Sequence, residues 1–478
     1  MKERLKTFLL ISMVVITLVL TKKLWIELPN AISDIFSNRE EAYSVSYLLS
    51  DMIIPNKYML NFNENNHTFF YDDSSYGLWT NNRRTISNIL GSKTIKTLDL
   101  SNDEFLTYDR KRSIIFYFPE KVNTYILAKA LDVKDPNTIV DILPSVKSIY
   151  IYLGNEDPFF VLSDSEKNIA IYDQSIDVDK LKEQVLEIEE KKDHNYFFSM
   201  KEKYGINNEV YVPYEMQNNL PQIYVENEIR NLDDGEKKQM AEKFFNKDID
   251  YIREIEESNG STIYLYDQRV LKLNVNGTLE YFHSLEDIIK KRNLYESLST
   301  SAEFISQKAG VTKGMYLSNI EDIEVDNNLG YRLSFKYRIR GIPVILGNEE
   351  VEGFVEIEVF NEHIRSYKHF IRKDMNKTVD NIIDGKKMLT SYKVIDMNYD
   401  FFTELYLEKN GIVLSEGQGL PPSEEVLSII QDVTLSYFDP CLKDIEDELI
   451  GVWAIRTVDN LYAFDVYNGS LVYEKSQN

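Results

Sequence analysis

The residues equipped for chemistry are few, and their spacing is poor for it. One thiol, Cys441, stands with five histidines: His67, His194, His283, His363 and His369. Cys441 follows Asp439-Pro440 and precedes Asp444, Glu446, Asp447 and Glu448. Negative neighbours raise a thiol pKa and blunt it as a nucleophile. His363 and His369 are six apart, on one strand face or across a bend, and a histidine pair can bind zinc. No third ligand accompanies them, so surface or packing histidines are the simpler reading. Asn61-x-Asn63-x-Asn65 with Asp72 imitates a calcium loop, but Asn66 stands where glycine is required. Amides also replace the needed carboxylates, so this reads as an asparagine-rich turn. The sequons at Asn259, Asn276 and Asn468 likewise read as turns.

The motifs that organise catalysis are missing. The chain contains no His-Glu-x-x-His, no Gly-x-Ser-x-Gly, no phosphate loop and no Ser-x-x-Lys. Its 78 acidic residues put carboxylate pairs everywhere, and none is promoted to an acid/base pair without geometry. The run Glu187, Glu189, Glu190 is most simply a solvated helix face. The expectation is a non-enzyme without catalytic, cofactor-binding or metal-ligating residues.

Composition narrows the class. With 54 basic against 78 acidic residues the net charge is −24, and nucleic acid needs a basic footprint, so it is not an expected partner. A single cysteine excludes an internal disulfide framework and a multi-cysteine zinc site. The 32 Tyr and 24 Phe exclude a disordered chain, and 19 Gly with 12 Pro exclude collagen-like sequence. The 478 residues imply about three domains at ~150 residues each.

The strongest physical signal is near the start. Residues 8–20 read FLLISMVVITLVL, without a charge. Leu5 to Ile26 make a span of the ~20 residues a bilayer needs, if Lys6, Lys22 and Lys23 snorkel. Trp25 suits an aromatic belt. Thr21-Lys22-Lys23-Leu24 offers no small-residue cleavage site, so an uncleaved anchor is expected over a signal peptide. Cleavage after Thr21 would instead make a secreted structural protein. The expected topology is single-pass in the cell membrane, with residues 1–4 cytoplasmic and the bulk extracytoplasmic. Within the anchor Ser12 and Thr17 are the deep polar groups and the candidate contacts to a partner helix; no Gly-x-x-x-Gly is present. Hydrogen bonds back to their own helix carbonyls are the simpler use of both.

After the anchor the chain reads as α+β: a multi-domain region of antiparallel sheets with packed helices. Expected bounds are 27–180, 181–300 and 301–478. Helices are expected at 39–50, 122–131, 179–192 and 235–245, from 301 onward, and from Ser423 through Asp432. Strands are expected at 67–71, 77–80, 114–118 (ended by Pro119), 148–153, 168–172, 261–266, 270–275, 332–339, 353–360, 365–372, 453–457, 461–466 and 471–473. Asn276-Gly277 between apolar runs is a strong hairpin cue. An internal echo links residues 276–281 (NGTLEY) with 468–473 (NGSLVY), and Asn361 with Ile364 is spaced similarly. Each echo follows a helix and closes a strand–turn–strand unit. Shared turn chemistry explains it as well as a repeated helix-plus-sheet module does.

The order of these parts resembles the YycH family, membrane-anchored regulatory proteins of the WalK/WalR (YycG/YycF) two-component system. Four stretches carry the likeness. They are Lys2-Glu3-Arg4-Leu5-Lys6-Thr7 leading into the apolar run and Leu24-Trp25, residues 113–131 (SIIFYFPEKVNTYILAKAL), residues 148–173, and a C-terminal part similar to YycI. Residues 190–300 match least well. The resemblance implies a non-enzymatic accessory of a WalK-type sensor histidine kinase controlling cell-wall metabolism. It also implies a YycI-like single-span partner, met through transmembrane and outer-domain contacts. The alternative is an anchored glycan binder or wall enzyme using Trp79, Trp453 and nearby tyrosines as a sugar platform, though such aromatics more often fill strand cores.

Overall fold

Among the described residues, alternating apolar residues assemble four sheets, and where a run is apolar throughout, its strand is buried on both faces. The computed structural model describes residues 45–476, excluding 72, 74, 175, 207–209, 217–218, 287, 311, 349–350, 352, 377–386, 414–418 and 442–445, and the side chains of 45–48, 109, 309 and 446. The expected anchor at 5–26, with Ser12 and Thr17, lies outside the described residues. Among the described residues no helix is long and apolar enough to cross a membrane.

The nine-stranded sheet is wholly antiparallel and centres on Ser113–Asn123, flanked by Lys57–Asn63 and Ser145–Tyr152. Ile114 and Phe116 enter the main core, while Ile115 enters a second cluster with Met59, Tyr150 and Val161. One uninterrupted apolar run thus serves two layers. Pro119 does not end this strand. Pairing breaks between Tyr117 and Val122 and then resumes, so the proline, which has no N–H to give, sits in the irregular stretch. Residues 77–80, expected as a strand, begin the helix Leu78–Gly91. The Asp73 carboxylate explains the difference: it accepts from the backbone N–H of Trp79 and, at 2.9 Å, of Thr80. Those first-turn donors would otherwise lack partners.

Among the described residues a helix followed by four antiparallel strands paired in chain order occurs three times, the second and third units carrying further strands inserted between theirs. The first unit is helix Asp234–Phe245 with Arg253–Glu256, Thr262–Tyr266, Arg269–Leu273 and Leu279–His283. The second is helix Leu294–Phe304 with Tyr316–Val325, Asn328–Lys336, Val355–Phe360 and His363–His369. The third is helices Ser391–Met397 and Tyr399–Lys409 with Asp432–Asp439, Ile450–Arg456, Asn460–Asp465 and Leu471–Ser476. All three asparagine echoes fall in the last hairpin of a unit. Asn276 and Asn468 each accept from the backbone N–H two residues on, at 3.0 and 2.7 Å, and Gly277 and Gly469 carry φ of 88° and 75°.

Each of these hairpins is tied by an amide to the segment that leads into its helix. Asn227 Nδ2 donates to the Gly277 carbonyl at 3.2 Å. Asn361 accepts from Asn293 N–H at 2.8 Å and donates to the Lys291 carbonyl at 3.0 Å. Asn398 Nδ2 donates to the Gly469 carbonyl at 2.8 Å.

The first two units join through their last strands, Leu279–His283 against His363–His369, in one eight-stranded sheet whose strand order reads the same from either edge. Strand pairing therefore crosses residue 300. It also crosses residue 180, because Phe197–Ser199 and Tyr211–Pro213 extend the nine-stranded sheet. The third unit continues into a six-stranded sheet in which Ile342–Leu346 runs parallel to Asp432–Asp439.

Two further expectations shift. The helix expected from 301 starts at Leu294, because Asn293 accepts from Glu296 N–H and caps it. The helix from Ser423 ends at Val426 and a short 3-10 turn, and Asp432 opens a strand. Pairing of Val433 with Ile455 and Leu435 with Trp453 overrides the local helical tendency there.

Candidate functional site

The histidines separate into buried and accessible groups. His67 is 1% exposed, donates from Nδ1 to Asn61 Oδ1 at 2.6 Å, and titrates at about 4 because burial, then Arg110, disfavours its cation. His194 is buried between the rings of Phe62 and Tyr196. His369 is buried, with Tyr367 Oη 2.8 Å from Nδ1 and Glu228 3.6 Å from Nε2.

His363 and His369, the pair noted in sequence, do not come together. The register slips between Ile364 and Ser366, so a spacing of six no longer puts both rings on one face. Instead His363 meets His283, eighty residues away, with ring centroids 4.4 Å apart and planes tilted by 33°. The two lie where the fourth strands of the first two units abut: His283 ends one strand and His363 opens its neighbour.

An open groove of about 550 Å³ surrounds the pair, lined also by Glu286, Glu296, Asn361 and Glu362. Burial, then the nearby charge of His363, holds the His283 imidazole below its ordinary pKa. His363 Nε2 lies 3.3 Å from the His283 carbonyl oxygen. The site therefore offers imidazole nitrogen and carboxylate oxygen to a ligand. Neither histidine is marked by local sequence, because their proximity exists only through strand pairing.

A second titratable cluster is closed. Arg372, Asp439 and Asp447 are 3%, 0% and 4% exposed, and Arg372 Nη1 donates to both carboxylates at 2.8 and 2.9 Å. Burial pushes the Asp439 carboxyl up against the pull of Arg372. Burial and then Asp439 push the Cys441 thiol up to about 12, in the direction its acidic neighbours implied. This buried joint ties Arg372 to two carboxylates eight residues apart on the following strands.

The asparagine-rich loop behaves as a turn, with Asn63 Oδ1 accepting from the N–H of Asn65 and Asn66 at 3.0 and 3.1 Å. Glu187 pairs with Lys191 at 2.7 Å along the helix Asp179–Lys191, and Glu189 with Arg112 at 2.8 Å. The aromatic platform is not built from tryptophan: Trp79 and Trp453 are 2% and 1% exposed. Trp453 lies in a strand core and Trp79 on a helix, against Phe116 and Phe118.

No protein-family profile matches the chain, and no curated protein does. Among solved structures it is similar to an uncharacterized protein from Eubacterium rectale ATCC 33656, with TM-score 0.33 and 14% identity over 54% of this chain and 81% of that one. It is also similar to the Bacillus megaterium YpeB C-terminal domain, with TM-score 0.25 and 12% identity over 52% of this chain and 99% of that one. These likenesses assign no family.

Proposed function

We propose that the chain is a non-enzymatic, single-pass membrane accessory of a sensor histidine kinase of WalK type, acting beside a YycI-like single-span partner. Residues 5–26 serve as the anchor, the amino terminus is cytoplasmic, and the α+β bulk is extracytoplasmic. The order of sequence features shared with the YycH family supports this reading, and one structural observation carries it. The first described element after the apolar segment, helix Val45–Met52, is not a loose tether: Leu49, Met52 and the following Ile53 are at most 3% exposed in the main core. Arg338 Nη2 also donates to the Pro55 carbonyl at 3.2 Å, inside the fold.

In this reading outer-domain events bias neighbouring kinase helices between two states. The glycan-binding alternative loses its tryptophan platform and keeps only tyrosines.

The test is affinity capture of the full-length tagged chain from gently solubilised membranes, with mass spectrometry of its companions. A matched chain carries an unrelated transmembrane helix in place of residues 5–26. A sensor kinase and a small single-span protein recovered with the first and lost with the second is the expected result. Recovery of wall enzymes or muropeptides alone would end the regulator reading.

A further inference from the structure

We propose that His283 and His363 form the core of a divalent transition-metal site, zinc foremost, in the groove where the first two helix-and-meander units join. The two imidazoles, 4.4 Å apart between ring centroids, are carried at the ends of adjoining antiparallel strands rather than on free loops. The backbone thus sets their separation before any metal arrives.

The tautomer favours ligation. With His363 Nε2 at 3.3 Å from the His283 carbonyl oxygen, the ring donates there and keeps its lone pair on Nδ1. Histidines that ligate metals commonly give their other N–H to a backbone carbonyl in this way, which orients the ring and raises its basicity.

The surroundings choose the sign and class of ligand. Glu286, Glu296 and Glu362 line the groove, while Arg269 stands opposite His283 on the neighbouring strand and is not among the lining residues. Three lining carboxylates favour a cation over an anion. Two imidazole nitrogens with a carboxylate oxygen, and water in the fourth position, is a zinc ligand set; calcium and magnesium prefer oxygen throughout. Among the described residues no three His, Cys, Asp or Glu side chains already converge as a finished set. The carboxylate therefore comes by rotation, and Glu286 and Glu362 are exposed and free to turn. The site is completed by the metal it binds.

This inference stands apart from the regulatory reading, and its test needs no kinase. Zinc chloride is titrated calorimetrically into the chelator-treated full-length chain in detergent near neutral pH. One equivalent should bind, and His283→Ala and His363→Ala should each weaken binding by at least about tenfold. No binding, or affinity unchanged by both substitutions, overturns the proposal. Should the variants fold poorly, zinc-edge anomalous diffraction from the zinc-soaked unsubstituted protein replaces them. A peak between the two rings supports the site, and a peak only elsewhere, or none, overturns it.

Discussion

Tyr281 and Tyr367 stand directly opposite each other on adjacent antiparallel strands, and Phe244 and Phe304 close over both. Each phenylalanine ring meets the other and both tyrosine rings, at centroid distances of 5.3 to 6.3 Å. Phe244 lies eleven residues after the helix cap Asp233, and Phe304 eleven after the cap Asn293, so the two phenylalanines hold equivalent places in the two units. The seam between the units is built from matching parts.

The seam should therefore be energetically coupled. Phe244→Ala, at a site 2% exposed, is expected to cost ~3–5 kcal/mol, and Phe304→Ala, half-buried, less. The double variant should fall short of the sum by about 0.5–1.5 kcal/mol, the range for aromatic pairs. Denaturant titration of the four proteins measures this; strict additivity would mean that the rings do not act as one cluster.

The joint around Arg372 makes an opposite kind of prediction. Replacing Arg372 by Met strands two carboxylates that are 0% and 4% exposed, so a loss of ~3–5 kcal/mol is expected. Adding Asp439→Leu and Asp447→Leu should recover most of that loss, because the charges are then gone rather than unpaired. Midpoints of guanidinium unfolding for the single and triple variants decide it.

The hairpin ties can be tested by a pair of glycines. Gly277 and Gly260 both carry positive φ, 88° and 91°, so alanine is strained at each. A Cβ on Gly277 would also sit 2.4 Å from the Asn227 side chain that binds its carbonyl, whereas on Gly260 it meets only Val275 at 3.8 Å. Gly277→Ala should destabilise by about 1 kcal/mol more, the worth of the displaced hydrogen bond. Thermal melts of both variants provide the comparison, and equal losses would show that the tie contributes nothing.

His67 predicts a pH dependence. Its folded value of about 4 lies below the ordinary 6.5, so the unfolded chain binds the extra proton between those limits. Stability is then fully present above pH 6.5, falls as pH drops towards 4, and loses no more from this group below that. The shift corresponds to about 3 kcal/mol at ~1.36 kcal/mol per unit. His67→Gln should flatten the stability profile between pH 4 and 6.5 relative to the unsubstituted protein. Denaturant midpoints collected across that range check the slope, which a uniform loss of packing would not change.

Much of the local structure was legible because its causes are local. The helix Asp179–Lys191 follows from Leu181, Val185 and Ile188 on one face. The hairpins at Asn276 and Asn468 follow from the positive φ that their glycines allow. The acidic surroundings of Cys441 gave the direction of its shift, although burial is the larger cause. Where a distant group intervened, local reading failed. Asp73 starts a helix where Gly77 and Leu78 looked like strand, and strand pairing captures Asp432 from an expected helix.

By itself the sequence determined the α+β class with antiparallel sheets, the closing Asn hairpins, and the poverty of catalytic motifs. Those properties depend on periodicity, turn chemistry and composition, which neighbouring residues express without help. Only the tertiary structure decided how the recurring units join, which carboxylates are buried against Arg372, and that His283 rather than His369 is the partner of His363. Pairing across eighty residues is set by which strand edges meet and by a one-residue slip in register, and neither leaves a trace in local sequence.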